Sequence, residues 1–247
     1  MYKFKTYDSR KIFKCSQCSH YGLLPEHIEK NRKEFVPEIE PKLIPYNEKT
    51  WKKMFPKKDK LDYSKLQLSN IGIYSIFYPN SADELAKIIR GYVDNKKATI
   101  TDANANMGGA TIAFARYFDK VNSVEIVKMH CDILENNLRV YDINKKVDIH
   151  CMDYLDIGEK LEQDVVFFDP PWGGKSYKSK ALMNMYLDSI PINVIVNELV
   201  KKNNIVAIRV PFNYDFKKIL AITDKSYIHS FYRPDGRLSF FLIVLKK

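Results

Sequence analysis

Residues 165–173 read VVFFDPPWG, an apolar run that ends in an acid, two prolines and an aromatic residue. Four consecutive apolar residues before a turn signal predict a strand that is buried on both faces. The two prolines fix φ twice and remove two N–H donors, so the turn after the strand is stiff and rich in acceptors. The alternative is an ordinary strand-ending turn in which Asp169 caps a helix.

From about residue 85 onward, strand patterns alternate with helix patterns. This alternation predicts an α/β domain over residues 81–247 with a doubly wound, mostly parallel, seven-stranded Rossmann-like sheet. The turn signature PDGR at 234–237 joins the last two strands into an antiparallel C-terminal hairpin. The predicted strands are 98–102, 121–126, 147–151, 164–168, 205–210, 226–232 and 238–245, and the predicted helices are 109–118, 129–141, 193–201 and 214–220.

Residues 1–80 have a different character, with many Lys, Glu, Pro and aromatic residues. Prolines at 37, 41, 45 and 56 prevent a long helix there. We expect a small helical and irregular extension that covers part of the active-site face and contributes to substrate binding. The first few tens of residues are expected to be flexible.

Composition narrows the class of partner. The net charge of +10 favours a polyanionic partner, with ordinary solubility as the alternative. No run of eighteen apolar residues is present, so we expect no membrane span. Residues 1–5 lack the apolar core of a signal peptide, which predicts an intracellular protein.

The four cysteines bear on metal binding. Cys15 and Cys18, with His20 close by, have the spacing of half a structural zinc site. A second pair of ligands with suitable spacing is missing from the sequence, so we expect no metal and reduced, unpaired thiols.

The first predicted strand ends at Asp102, and the loop ANANMGG then leads into a helix. Asp102 offers a negative charge to an ammonium group, and Asn104 lies in the same loop. Gly108 and Gly109 let a ligand approach the backbone, where the helix N-terminus favours a carboxylate. An amino and a carboxylate group together are the methionine end of S-adenosyl-L-methionine.

The next two strands also end near acids, at the edge where such sheets bind ligands. Glu125 is placed to accept both ribose hydroxyls, and Asp153 to accept the adenine amino group. The G-x-G-x-x-G pattern is absent, which counts against a nicotinamide cofactor.

An amine on an aromatic ring is a poor nucleophile, because its lone pair is delocalised into the ring. Asp169 and the Pro170 carbonyl, as acceptors of the two N–H groups, favour a nucleophilic geometry. Trp172 then holds the base by stacking. With the acids of the preceding strands, and with Asp169 itself adjoining the cofactor, these residues predict methylation of a nucleobase amine.

On these residues the chain resembles the trimethylguanosine synthase family, which methylates N2 of the 7-methylguanosine cap of RNA. The sequence DPPWGG at 169–174 is similar to the family's SPPWGG, with Asp169 in place of the usual Ser. Segments 101–115, 123–126 and 151–154 resemble its cofactor motifs, and segments 49–53 and 74–75 resemble motifs upstream. The resemblance spans roughly residues 45–220 and implies a monomer that binds capped RNA.

The resemblance also implies a substrate site. A 7-methylguanine ring is cationic, and the indole of Trp172 offers the best aromatic face for a cation. Lysines after Trp172 are placed for the triphosphate bridge. The implied substrate-binding residues are Trp172, Tyr177, Lys175, Lys178, Trp51, Tyr74 and Asn213.

Three positions depart from the family. Asn104 and Asn106 replace its Phe and first Gly, and Asn tolerates left-handed φ, so we expect the loop to survive. Phe212 stands where the family has Arg, and Arg209 or a lysine is left to supply a phosphate contact. Because the family carries Ser at position 169, the resemblance implies that Asp169→Ser retains activity.

Two other functions fit the same residues. An N6-adenine or internal guanine-N2 RNA methyltransferase would use the same tetrapeptide on a different base. A non-catalytic cap- or RNA-binding module would keep the fold without the cofactor, and the altered loop at 104–107 is the feature in its favour.

Overall fold

The computed structural model describes residues 39–247 apart from 189 and 203. The strands are β1 (Thr99–Asp102), β2 (Lys120–Glu125), β3 (Val147–Cys151), β4 (Val165–Phe168), β5 (Tyr186–Leu187), β6 (Ile190–Pro191), β7 (Ile205–Pro211), β8 (Ser226–Tyr232) and β9 (Leu238–Leu245). Seven of them form one sheet in the order β3-β2-β1-β4-β7-β9-β8. The first five in this order are parallel, and β9 is antiparallel to β7 and β8. The predicted doubly wound sheet with a C-terminal hairpin is confirmed.

Helices cover both faces of this sheet. They are α1 (Glu48–Met54), α2 (Pro79–Gly91), α3 (Gly109–Tyr117), α4 (Lys128–Val140), α5 (Tyr154–Ile157), α6 (Ile192–Lys201) and α7 (Lys217–Leu220). Side chains alternate across β4: Val165 and Phe167 join the core under α2, α3 and α4. Val166 and Phe168 join a second core under α5, α6 and α7. The uninterrupted apolar run of β4 is therefore explained by burial on both faces.

The predicted boundaries of the seven sheet strands and of α3, α4 and α6 lie within one residue of the observed ones. The predicted helix 214–220 is wrong in length, since only Lys217–Leu220 is helical. Tyr214 instead forms a bridge with Met183, which ties the segment to the chain after Trp172. Helix α1 lies in the extension where short helices were expected, whereas α2, α5 and the short antiparallel pair β5–β6 were not predicted.

The segment that precedes the sheet shares the core of the sheet. Trp51 of α1 is only 1% exposed, and its indole N–H donates to the Leu66 carbonyl at 2.7 Å. Trp51 therefore supports packing and does not line a site, which corrects the prediction that it binds substrate. The expected flexibility of the first few tens of residues, and the candidate ligands Cys15, Cys18 and His20, lie outside the described residues.

Two of the four cysteines are bonded to each other. Cys131, in the first turn of α4, forms a disulfide with Cys151 at the end of β3, and their Cα atoms are 5.9 Å apart. The prediction of unpaired thiols is wrong for this pair. The two lie 20 positions apart in sequence, and parallel pairing of β2 with β3 brings them together.

Within the described ranges, no helix has the length and apolar character needed to cross a membrane. Those ranges also contain no cluster of three or more His, Cys, Asp or Glu side chains arranged for a metal ion.

Candidate active site

The candidate site lies where the strand order reverses. Strand β1 lies between β2 and β4, and successive strands continue outward from it in opposite directions. The Ala103 N–H donates to the Phe167 carbonyl at 2.9 Å, so the chains leave β1 and β4 side by side. Such a crevice at the carboxyl ends of the strands is where doubly wound sheets bind ligands. Asp102 and Asp169 flank it.

Asp102 is a buried carboxylate with unequal oxygens. Its Oδ2 accepts from the Thr111 hydroxyl at 2.7 Å. Its Oδ1 is buried and has no hydrogen-bond partner among the side chains and backbone groups that the structure describes. Burial, with the nearby Asp169 charge as a smaller contribution, raises the pKa of Asp102 to about 7. A cationic ligand at Oδ1 would lower this pKa and favour the ionised carboxylate.

Glu125 ends β2 and is held by the backbone. Its Oε2 accepts from the Asn106 N–H and its Oε1 from the Val127 N–H, both at 2.8 Å. Burial nevertheless raises the pKa of Glu125 to about 7. The Ile126 backbone also donates to this carboxylate, which with about four lone-pair sites fixes the 103–108 loop and still has acceptor capacity for a hydroxyl group.

The altered loop adopts an ordered conformation. Asn106 has φ of 50°, in the left-handed region where the family carries Gly, as the sequence reading expected. Its amide donates to the Ser75 hydroxyl at 2.8 Å. The Oδ1 atoms of Asn104 and Asn106 are buried without a partner in the described part of the chain. With Asp102 Oδ1, three buried acceptors near one loop are left for a ligand rich in N–H and O–H donors.

The two glycines of this loop serve the protein's own packing. Gly108 has φ of 97°, which disfavours any side chain. A Cβ at Gly109 would lie 2.7 Å from the Phe77 backbone N, so a neighbouring segment already approaches this backbone. Packing against Phe77 is thus a second reason for glycine at position 109, and the approach of a ligand to the backbone of the two glycines stays a prediction.

Asp153 follows β3 and begins α5. Its carboxylate accepts from the Leu155 N–H at 2.9 Å, the usual geometry of a helix N-cap. The register of β3 against β2 places it beyond Glu125 at the same edge of the sheet. Its contact with an adenine amino group stays a prediction.

Asp169, the predicted acceptor for the amine, forms an ion pair with Arg209. Arg209 of β7 donates from Nη1 to Asp169 Oδ2 at 2.6 Å, and both side chains are largely buried, at 17% and 15% exposed. Burial raises the pKa of Asp169, and the Arg209 charge opposes that rise. The guanidinium carbon lies 4.3, 4.6 and 4.7 Å from the ring centroids of Phe77, Phe240 and Trp172.

Sequence reading considered Arg209 for a phosphate contact and missed this role. A signal was present, because Arg209 interrupts the apolar strand IVAIRVP at 205–211. A charged residue in a buried strand requires a partner of opposite charge. The sequence does not say which acid that partner is.

Trp172 has one face against Arg209 and one edge against Tyr177. The Tyr177 ring centroid is 5.2 Å away at an interplanar angle of 81°. Phe212 lies on from Tyr177, with its ring centroid 6.1 Å from the Tyr177 ring centroid, and 39% of the residue is exposed. The Trp172 indole nitrogen is buried without a partner in the described ranges. Trp172 and Tyr177 are therefore brought together as predicted.

Asn213 organises the basic loop after Trp172. Its amide nitrogen donates to the carbonyls of Tyr177 and Lys180, at 2.9 and 2.7 Å. Lys178 is exposed, and its ammonium lies 5.9 Å from the centroid of the Tyr177 ring. Asn213 thus acts on the loop, and a direct contact with substrate stays a prediction. For Lys175 only the backbone, within the 3-10 turn Gly174–Ser179, is described.

Tyr74 ends the 3-10 turn Gly72–Tyr74 and is 85% exposed. The next residue, Ser75, contacts Asn106 of the cofactor loop. Tyr74 therefore lies at the rim of the candidate site with an accessible side chain, and its role in substrate binding stays a prediction.

Known proteins resemble this chain in sequence. A protein of Acanthamoeba polyphaga mimivirus, described as uncharacterized, is 30% identical over 191 residues, which are 66% of this chain and 73% of its own. The trimethylguanosine synthase of Schizosaccharomyces pombe is 31% identical over 168 residues, 64% of this chain and 69% of its own. The enzyme of the same name from Saccharomyces cerevisiae is 23% identical over 72% of this chain and 58% of its own.

Solved structures support the fold. An O-methyltransferase from Bacillus cereus, solved in complex with SAH, superposes with a TM-score of 0.50 at 15% identity, covering 68% of this chain and 81% of that chain. The family model described as RNA cap guanine-N2 methyltransferase matches residues 97–242, which contain every strand of the main sheet except the last residues of β9. The chain belongs to the RNA cap guanine-N2 methyltransferase family.

Proposed function

We propose that the site between β1 and β4 transfers a methyl group from S-adenosyl-L-methionine to N2 of the 7-methylguanosine cap of RNA. The observation that supports this most directly is the juxtaposition of an acceptor-rich loop with Asp169 and Trp172 at the switch point of the sheet. Bound here, S-adenosyl-L-methionine supplies an electrophilic methyl group on a sulfonium.

The loop after β1 fits the donors of that cofactor. Asp102 Oδ1 accepts from the ammonium of the methionine end, and this contact keeps the buried carboxylate ionised. Glu125 accepts from the ribose hydroxyls with lone pairs that the Asn106 and Val127 N–H groups do not use. Asp153 accepts from the adenine amino group.

The turn after β4 prepares the nucleophile. Asp169 and the Pro170 carbonyl accept the two N–H groups of the cap amine and aim its lone pair at the methyl carbon. Oδ2 of Asp169 is committed to Arg209, so Oδ1 is assigned to the amine. The amine nitrogen would become cationic as its bond to the methyl carbon forms and the methyl–sulfur bond breaks, with S-adenosylhomocysteine as the leaving group. The hydrogen bond to Asp169 would then strengthen, and the extra proton of the amine would be lost toward Asp169.

Trp172 clamps the cationic base. Arg209 covers one face of the indole, so the cap is assigned to the opposite face. The cation–π attraction is worth about 1 to 2 kcal/mol in a desolvated site, which favours a methylated over an unmethylated guanine. Lys175, Lys178 and other basic residues of the following loop are assigned to the phosphates, and Tyr177 to the cap.

The test is methyl transfer from labelled S-adenosyl-L-methionine to m7GTP and to GTP, with mass analysis of the product. We expect label on m7GTP, and the mass tells whether one or two methyl groups are added. Equal labelling of GTP, or no labelling of m7GTP, contradicts the proposal. Labelling of adenine or internal guanine in uncapped RNA supports the other enzymatic function, and failure to bind S-adenosylhomocysteine supports a non-catalytic module.

A further inference from the structure

We propose that Asp169 and Arg209 act as one charge-neutral unit, in which Arg209 is the positioning residue that makes a carboxylate usable at a place where the family uses Ser. This inference rests on the proposed function. It assigns a role to Arg209 and reverses the expectation that Asp169→Ser alone is harmless.

The first argument is charge. The cofactor carries an ammonium and a sulfonium against one carboxylate, for a net charge of +1, and the 7-methylguanine ring adds a further positive charge. Serine is neutral, whereas Asp169 paired with Arg209 is neutral as a unit. Replacing Asp169 by Ser without changing Arg209 leaves one uncompensated buried cation beside a site that must accept cationic ligands.

The second argument is geometry. Arg209 holds Asp169 Oδ2 at 2.6 Å, so one oxygen is fixed and the other is oriented. Arg209 itself is fixed by the rings of Phe77, Phe240 and Trp172, which come from three separate segments. A guanidinium can contact three rings and donate to a carboxylate at once, which the smaller ammonium of a lysine does not reproduce. The orientation of the amine acceptor and of the cap clamp therefore depends on the same side chain.

The third argument is competition for a proton. The charged groups that face Asp169 are Asp102 from β1 and Arg209 from β7. Burial disfavours ionisation of Asp169 and the Arg209 charge favours it, while the Asp169 charge in turn raises the pKa of Asp102. Without Arg209, two buried carboxylates face each other, and Asp169 holds its proton to higher pH. A protonated Asp169 accepts the amine hydrogen bond less well.

The experiment is a double-mutant cycle on the full chain with Asp169→Ser, Arg209→Met and both together, measured as kcat and KM for m7GTP. Each single change should lower kcat/KM by about 30-fold or more, because it leaves a buried charge without its partner. The double variant should be more active than Asp169→Ser. Arg209→Lys should recover part of the loss of Arg209→Met.

A second readout separates positioning from mere structural support. In Arg209→Met the acid limb of the kcat/KM profile should move to higher pH, which loss of packing alone does not produce. The matched control is the exposed pair Asp235–Arg237 in the hairpin turn, where the same substitutions should leave activity near wild type.

Three results overturn the proposal: full activity of Asp169→Ser, a double variant no better than the product of its single changes, or an unmoved acid limb in Arg209→Met. If the wild type does not methylate m7GTP, the proposed function fails while the pair remains testable. Carboxyl-carbon NMR then follows Asp169 directly, and an unchanged titration in Arg209→Met refutes the unit.

Discussion

The two halves of the candidate site are built in different ways. In the cofactor half, Glu125 is bound by Val127, two residues further on, and by Asn106, nineteen residues earlier, while Asp102 is bound by Thr111, nine residues further on. In the base half, Asp169 is bound by Arg209, which is 40 residues away on another strand. The cofactor half leaves buried acceptors unpaired, whereas the base half neutralises its own charge.

The two halves differ in how far apart in sequence the residues that form them lie. The hydrogen bonds that hold Asp102 and Glu125 all lie within residues 102–127, so the motif over that stretch carries most of the information needed to place these two acids. The base half depends on a pair that is formed only when β4 and β7 lie side by side. A single substitution in the cofactor half is therefore expected to affect only its immediate contacts. A substitution of Asp169 or Arg209 in the base half is expected to leave the other member of the pair buried without its counter-charge.

Among substitutions in the cofactor half, Asp102→Asn is expected to have the largest effect on ligand affinity. The variant loses the charge that faces the cofactor ammonium, and S-adenosylhomocysteine affinity should fall about 30-fold or more. The same change removes a buried carboxylate, so the unfolding temperature at pH 8 should not fall. Calorimetric titration and thermal unfolding measure the two effects. Wild-type affinity in this variant contradicts the assignment of Asp102.

Trp172→Ala is expected to affect the base half of the site and not the cofactor half. Loss of stacking should raise KM for m7GTP about tenfold, while S-adenosylhomocysteine affinity stays within a few-fold of wild type. Trp172→Phe should be intermediate, because it keeps an aromatic face toward Arg209. Steady-state kinetics on m7GTP decides the matter, and unchanged methylation of the cap by Trp172→Ala removes the clamp assignment.

The pKa values sharpen the comparison. Asp102 has a pKa of about 7 without ligand, so S-adenosylhomocysteine affinity should rise several-fold between pH 6 and pH 8. Asp102→Asn should flatten this dependence of affinity on pH.

The pH dependence of folding stability has the opposite sign. The pKa values of Asp102 and Glu125 in the folded protein lie above their values of about 4 in unfolded chains. The folded form then retains protons, and the stability contributed by these groups falls between about pH 4 and pH 7.

The smallest effect is expected from Asn213→Ala, which loosens the loop after Trp172 without touching either carboxylate. Loss of two hydrogen bonds to loop carbonyls should raise KM for m7GTP a few-fold and leave S-adenosylhomocysteine binding unchanged. Asn144→Ala, in the exposed 3-10 turn Asn144–Lys146 before β3, is a control for the substitution itself. An equal loss of cofactor affinity in Asn213→Ala contradicts the separation of the two halves.

Most of the fold was predictable because hydrophobic periodicity and turn residues are properties of short stretches of sequence. The hairpin at 226–245 and the strand at 147–151 were located without error, since alternating patterns are bounded there by turn residues. Helix α2 was missed although it begins at Pro79, a favoured residue for a first turn. Its neighbour Tyr74–Phe77 was read as part of an irregular extension, which hid the start of the helix.

The candidate site was predictable to the extent that its residues lie in motifs. Asp102, Glu125 and Asp169 were found at strand ends, and Asn106 was expected to tolerate its left-handed backbone. Trp51 was misread because an upstream motif does not reveal burial. The Cys131–Cys151 bond was missed because it depends on the register of β3 against β2.

The sequence by itself determined the type of sheet, the order of the acids along the strand ends and the stiff turn after β4, because each is a property of neighbouring residues. Only the tertiary structure decided that Arg209 neutralises Asp169, that Phe77 closes over Gly109 and that Asn213 holds the basic loop. These contacts join segments that are tens of residues apart. Their free energy appears only after the sheet has brought the segments together, so no local pattern specifies them.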